Sequence, residues 1–325
     1  MQRINWIDWA KSIAIIMVVF GHIPENTNNF LIRYICTFHM PLFFLLSGYL
    51  ASPSVDTKRN IIKHWHTLIL PYFLYNLIFY PYWLTRHLLE GGNFSCLEIC
   101  VKPLLGVLFL QIETPVSCTV NGVTWFLAAL LVMRIILNLC KKMANMKILI
   151  LTALVSVLIN FLVENYGIFH NLFMNGLVQC YPFFIIGYLL KKYHIIETTN
   201  TAINAILFMF LSSLAIYIYI TISVKDFPTF YLLCMLGSLS VVYFCKLLDS
   251  YNSMFLVNLS KGTIVIMGLH WMYIGTINYG LERMLGTYNI IYEWYIAVFL
   301  SVIIVFAIYP FVLLFSRYGK PFLGK

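Results

Sequence analysis

Three ionisable side chains interrupt the first apolar run of the chain, and their spacing brings them onto one line. Lys11 follows Asp8 by three residues, and His22 follows Lys11 by eleven. At about 100° per residue, Lys11 and His22 differ by about 20° around a helix, and Asp8 and His22 by about 40°. Ile15 and Val18 fall on the same stripe, so it is expected to point into a bundle of helices. An imidazole is the side chain suited to removing a proton near neutral pH. Asp8 and Lys11 are placed to neutralise each other as an i,i+3 pair. The same spacing also fits a plain helix-end ion pair with Lys11 snorkelling to the interface. His22 stands apart, after Gly21 and before Pro24, about 16 Å along the helix from Lys11. A hydrogen-bonded structural imidazole and a catalytic base both fit that setting.

His39 lies in the run Phe38-His39-Met40-Pro41-Leu42 of the next apolar segment. Its depth matches that of His22 on an antiparallel neighbour, so the two imidazoles are expected to meet. Pro41 has no N–H for the carbonyl of Thr37, and a helix is expected to break or begin there, leaving a free carbonyl beside a His. Ser47-Gly48 fits either close helix packing or a contact to a cofactor. Lys58 and Arg59 follow, with Lys63, His64 and His66. They read as topogenic charge or as a cradle for an anionic cofactor, Arg offering a planar fork and Lys a point charge. His270, in Gly268-Leu269-His270-Trp271, lies midway along a late apolar segment and is a candidate contact on the acceptor or cofactor side. Arg134 is placed to snorkel, and Trp125-Phe126 fits an aromatic belt.

These residues need elements to hold them, and composition says what kind. Of 325 residues 61% are apolar and 10% charged, against about 45 to 50% and about 25% in soluble domains. Mean hydropathy is +0.86. The solvent such a surface calls for is a bilayer. A net charge of +9 is spread in short clusters, with no basic stripe for nucleic acid. No P-loop, G-x-S-x-G, H-E-x-x-H or paired C-x-x-C appears, which removes the commoner soluble catalytic signatures, and no metal is expected. Asp8 and Lys11 open the first apolar segment and no small-residue cleavage site follows, so a permanent span is expected in place of a cleaved signal.

Ten segments approach the about 20 residues a membrane helix needs: 6–23, 34–51, 67–84, 123–140, 147–163, 172–190, 202–222, 229–247, 262–279 and 294–315. The expected architecture is an all-α polytopic membrane protein, one domain over residues 1–325 with about ten transmembrane helices. An even count puts both termini on one side. With that side cytoplasmic, Arg33, Arg86, Lys102, Lys225 and Arg283 fall outside, Arg134 falls within a span, and the other 15 of the 21 Lys and Arg fall inside, as the positive-inside rule asks. Residues 85–122 form a long outer connection whose apolar stretch, Val101–Ile112, is too short to span and reads as a re-entrant or interfacial segment or a surface loop. Cys96, Cys100 and Cys118 share that connection and are candidates for a disulfide.

The run Ile7-Asp8-Trp9-Ala10-Lys11 through Phe20-Gly21-His22, followed by FHMPLFFLLSGYL, resembles the acyltransferase-3 family of integral membrane O-acyltransferases. Within that family it is most similar to the branch of fucose 4-O-acetylases. Leu70-Pro71-Tyr72-Phe73, Trp125-Phe126-Leu127, Phe183 to Tyr188 and Leu269-His270 echo it along the chain. The resemblance implies a ten-helix enzyme of the inner (cytoplasmic) membrane. It implies an acetyl or other acyl group taken from cytoplasmic acyl-CoA and placed on a hydroxyl of a cell-surface or lipid-linked carbohydrate. His22 falls on the expected catalytic position, and Lys11 stands where many relatives carry Arg. Lys58 and Arg59 match the basic pair implicated in acyl-CoA binding.

Together these readings give a catalytic set of His22, His39, Asp8 and Lys11, and a cofactor-side set of Lys58, Arg59, Ser47 and His270. His22 is the general base, His39 orients it or binds the acceptor, and the pantetheine arm of acetyl-CoA reaches toward His22. Expected partners are acyl-CoA, a carbohydrate, membrane lipid and a second copy of the chain, with no nucleic acid. The rival is a transporter of a glycan or lipid-linked sugar, since intramembrane His and Lys also suit a proton relay. Halves 1–160 and 161–325 show no internal repeat of the kind transporters often carry.

Overall fold

A computed structural model describes residues 3–24, 30–54, 56–143, 146–167, 171–197, 199–222 and 226–324. Lys225 and Lys325, both counted in the charge tally, lie outside them. The described residues form α-helices joined by short turns, and one antiparallel bridge, Thr114 to Ser117, is their only β pairing. Each of the ten apolar segments falls on a helix. Seven described helices are long and apolar enough to cross a membrane, and a bent pair makes an eighth if it counts as one span. The protein is therefore all-α and polytopic. The helices covering 6–23 and 67–84 are less apolar than the rest, because the first carries Asp8, Lys11 and His22 and the second is rich in Tyr.

The chain divides into two compact units. The first comprises Met1–Ala51, Phe183–Ile266 and Tyr273–Leu313. Its leading helix, α1 (Asn5–His22), has no side-chain cap of its own. Asp249, more than two hundred residues on, accepts from the backbone N–H of Trp6 at 2.8 Å, so a carboxylate sits at the positive end of the helix. The second helix, α2 (Phe30–Tyr49), runs without a break through Pro41, contrary to the expected break or start. The carbonyl that Pro41 leaves unpaired, that of Thr37, accepts instead from Cys234 Sγ at 2.9 Å. A neighbouring helix thus satisfies the freed group, which is how membrane helices tolerate an internal proline. A Cβ on Gly48 would stand 1.8 Å from the carbonyl oxygen of Phe184, and one on Gly187 would stand 1.9 Å from that of Leu45. Both glycines are sites of direct backbone approach.

The second unit comprises Ser52–Pro182, Met267–Met272 and Leu314–Lys325. Helix α3 (Thr57–His64) is capped by Asp56, which accepts from the N–H of Arg59 at 3.1 Å. A π turn, Trp65–Ile69, joins it to α4 (Leu70–Leu89). The connection after α4 folds as a π turn, Leu97–Val101, then α5 (Lys102–Leu108). Tyr72 and Tyr80 of α4 donate to the carbonyls of Val107 at 2.6 Å and Ile99 at 2.5 Å. Between α4 and this segment lies an apolar recess of about 490 Å³. Cys96, Cys100 and Cys118 are free thiols. Asn76, Gln111 and Thr124 form a buried hydrogen-bonded chain that ties the end of the connection to α4. Helix α6 (Trp125–Lys142) follows, then α7 (Met146–Tyr166).

The remaining helices are α8 (Leu172–Lys192), α9 (Thr201–Thr221), α10 (Phe227–Leu247), α11 (Met254–Lys261), α12 (Thr263–Leu285) and α13 (Trp294–Tyr318). α11 and α12 meet at 75° across Gly262.

Candidate active site

Within the first unit, α1 and α2 bring His22 and His39 together. Gly21 has no side chain, and a Cβ there would lie 3.9 Å from both Cε1 and Nε2 of the His39 ring and 3.3 Å from Cys36 Sγ. The two imidazoles are close enough for charge on His22 to act on His39. Both are anchored in the same way. His22 Nδ1 lies 2.7 Å from the carbonyl oxygen of Val18, and His39 Nδ1 lies 3.3 Å from that of Ile35. A carbonyl only accepts, so each Nδ1 carries the proton, and in the neutral ring Nε2 is the basic nitrogen. Both side chains are half-buried. Cys36, beside them, was not legible as a neighbour because nothing in its local pattern marks it.

At the other end of α1 the structure corrects the expected pairing. Asp8 pairs with Arg3 at 2.5 Å. Lys11 Nζ donates to the carbonyl of Ser260 at 2.6 Å, and Arg3 to that of Val257 at 3.0 Å. Lys11 therefore meets the last turn of α11, where carbonyls lack intrahelical donors and the helix dipole is negative, and Arg3 meets a carbonyl one turn earlier. Lys11 thus holds the broken end of α11.

Ser47 is half-buried beside Gly48, whose position is dictated by packing on Phe184. Lys58 and Arg59 are exposed on α3 in the second unit, which also exposes Ile61 and Ile62. His270, on the part of α12 that belongs to the second unit, is fully buried. The neighbouring Gly268 lies against the Tyr75 ring, and its carbonyl accepts from Asn121 at 3.2 Å. His22 and His39 are thus brought together in one unit, while Lys58, Arg59 and His270 belong to the other.

Two polar clusters escaped sequence reasoning. Glu197 accepts from Tyr49 at 3.0 Å and lies 2.6 Å from His194 Nδ1; these hydrogen bonds hold its carboxyl below the usual carboxylate range. In the second unit, Asn138 Nδ2 donates to His64 Nε2 at 3.0 Å, and Arg134 Nη1 donates to Thr67 Oγ1 at 3.2 Å. Arg134 is therefore tied to a neighbouring helix and does not simply snorkel. A signal was present, since Arg134 and Asn138 stand one turn apart in an otherwise apolar helix. Among the described residues no group of three or more His, Cys, Asp or Glu is placed to hold a metal ion.

Residues 4–310 match the family model for the acyltransferase domain. A stretch of 57 residues is 46% identical to the nodulation protein NolL of Sinorhizobium fredii (strain NBRC 101917 / NGR234), covering 15% of this chain and 16% of that protein. The match thus spans about one sixth of the relative's length. No solved structure matches. With a helical fold suited to a bilayer and a family match over nearly its whole length, the chain belongs to the acyltransferase-3 family.

Proposed function

We propose that the protein is an O-acetyltransferase that moves an acetyl group from cytoplasmic acetyl-CoA to a hydroxyl of a cell-surface or lipid-linked carbohydrate, with His22 as general base. The observation that carries this reading is the contact of His22 Nδ1 with the Val18 carbonyl, which leaves Nε2 as the basic atom beside a second imidazole. In the reaction, Nε2 takes the proton of the sugar hydroxyl as its oxygen attacks the thioester carbonyl carbon. The carbon–sulfur bond then breaks, and the imidazolium returns the proton to the departing thiolate of CoA. A positioned base of this kind contributes about 10² to 10⁴ in rate. His39 orients the reacting pair or holds the acceptor. The exposed Lys58 and Arg59 receive the donor's phosphates.

In this reading the chain works as one catalytic domain with ten spans and both termini on the cytoplasmic side of the inner membrane. The test is transfer of labelled acetyl from acetyl-CoA by purified protein. His22→Ala at equal expression is expected to retain less than about a tenth of wild-type transfer; retention above that level removes the general base. A transporter would show neither acetyl transfer nor acetyl-CoA hydrolysis. Mass spectrometry of surface glycans with and without the protein identifies the acceptor by an added acetyl mass.

A further inference from the structure

The cluster at the π turn of the second unit holds two buried donors with no acceptor among the described residues. The amide of Asn138 is oriented by its other end, because Asn138 Oδ1 accepts from the N–H of Ser54 at 3.3 Å. Its Nδ2 therefore faces His64, whose Nε2 must accept. That assigns the proton of the neutral ring to Nδ1, which is buried and has no hydrogen-bond partner. One helical turn before Asn138, Arg134 spends one nitrogen on Thr67 Oγ1, while its Nε is also buried and has no partner among the described residues. His64 is 7% exposed, and no carboxylate among the described residues forms an ion pair with Arg134. Leaving a buried donor unsatisfied is costly, and leaving a buried guanidinium without a counter-charge more so. Such a pair persists where it has an anion to meet. Arg134 and Asn138 stand one turn apart on α6 and bond to Thr67 and His64, which are three residues apart, so the two donors lie in one cluster.

We propose that Arg134 Nε and His64 Nδ1 form a receptor for a phosphoryl group. A tetrahedral phosphate offers several acceptor oxygens and negative charge, matching two N–H donors of one cluster, one of them cationic. The π turn makes the geometry possible. It keeps His64 buried while Lys63, Trp65 and His66 on either side are exposed, and widened turns of this kind recur at functional sites. The rim is basic, with Lys58, Arg59 and Lys63 exposed on α3. A short loop is tied to the cluster through Asn138, which accepts from the N–H of Ser54. Lys63 donates to Ser52 Oγ at 2.8 Å and Asn60 to the Ser54 carbonyl at 2.7 Å, so residues 52–54 are also fastened to α3. Two sources share this chemistry, a phosphate of the CoA donor and the headgroup of an anionic phospholipid. The first deepens the proposed transfer reaction and rests on it; the second does not.

The test uses full-length protein in phosphatidylcholine nanodiscs, titrated calorimetrically with pyrophosphate, CoA and dephospho-CoA. If the source is the nucleotide, wild type binds CoA in these discs and Arg134→Gln weakens that binding about tenfold to a hundredfold, with Arg134→Lys in between. If the source is lipid, CoA binding is unchanged, and replacing phosphatidylcholine with phosphatidylglycerol raises the Tm of wild type but not of Arg134→Gln. Equal CoA affinity together with an equal lipid response in the two proteins overturns the proposal. Should Arg134→Gln fail to fold, the wild type decides. The imidazole NMR signal of His64, assigned by its loss in His64→Gln, shifts on adding pyrophosphate or anionic lipid, and an unmoved signal with both overturns the receptor. Acetyl transfer is measured separately. CoA binding through Arg134 without transfer removes the enzymatic reading alone, and wild-type transfer with wild-type KM for acetyl-CoA in Arg134→Gln removes the nucleotide arm alone.

Discussion

The ammonium of Lys11 lies 2.6 Å from the carbonyl oxygen of Ser260, a residue 249 positions later in the chain. Thr263 Oγ1 donates to the same oxygen at 3.3 Å. The contact closes the end of α11 where the chain turns 75° into α12. Removing the cation leaves the last carbonyls of α11 with fewer donors and a helix end without its compensating charge. Lys11→Met is expected to lower stability by about 1 to 3 kcal/mol, read as a fall in Tm in detergent. An unchanged Tm would show that the bend holds without the lysine.

The proline in α2 and the thiol in α10 are expected to be energetically coupled. Cys234→Ala removes the donor to the Thr37 carbonyl, and Pro41 prevents the helix from replacing it. The single substitution is expected to cost about 1 to 3 kcal/mol. In the Pro41→Ala background the backbone N–H of residue 41 satisfies Thr37, and the cost should fall below about 1 kcal/mol. A double-mutant cycle of unfolding free energies measures the coupling directly, and additive effects would refute it.

Glycines in this protein separate into two kinds. Gly48→Ala places a methyl 1.8 Å from the Phe184 carbonyl oxygen, so α2 and α8 must move apart. Gly280→Ala, in α12, meets nothing within 4 Å. The first is expected to lower folded yield sharply. The second should be neutral or stabilising by about 0.5 to 1 kcal/mol through helix propensity. Size-exclusion profiles and Tm values of the two variants provide the comparison.

His39 and His22 should separate kinetically. With His22 as the proposed base, its loss is expected to lower kcat and kcat/KM together. His39→Gln leaves the Val18 anchor of His22 in place. Its expected signature is a rise in KM for the acceptor exceeding the fall in kcat. Equal loss of kcat in both variants would make the two imidazoles one catalytic unit.

The acid limb of stability should report His64. Burial first, then the charges of Arg134 and Lys63, depress its pKa to about 4 from an ordinary 6.5. Between those values the unfolded chain binds a proton that the folded protein refuses, so stability rises with pH across that window. The contribution is complete above about pH 6.5 and is lost progressively as pH falls toward about 4. His64→Gln is expected to flatten the slope of Tm against pH in that range, and an unaltered slope would place the proton elsewhere.

Hydropathy and local spacing alone determined where the long apolar helices lie and which polar residues interrupt them, but not the short helices α3, α5 and α11. These are properties of consecutive residues: each of the ten apolar segments is helical, and the stripe of Asp8, Lys11 and His22 follows from helical periodicity. The meeting of His22 with His39 was also within reach, because adjacent antiparallel helices bring matched depths together. Tertiary structure decided the partners. Asp8 found Arg3, Lys11 found Ser260, the carbonyl freed by Pro41 found Cys234, and His64 found Asn138. The reason is physical. Buried donors, acceptors and charges must be satisfied by whatever group packing delivers to them, and for three of these four the delivery comes from residues 74 to 249 positions away, beyond the reach of any local pattern.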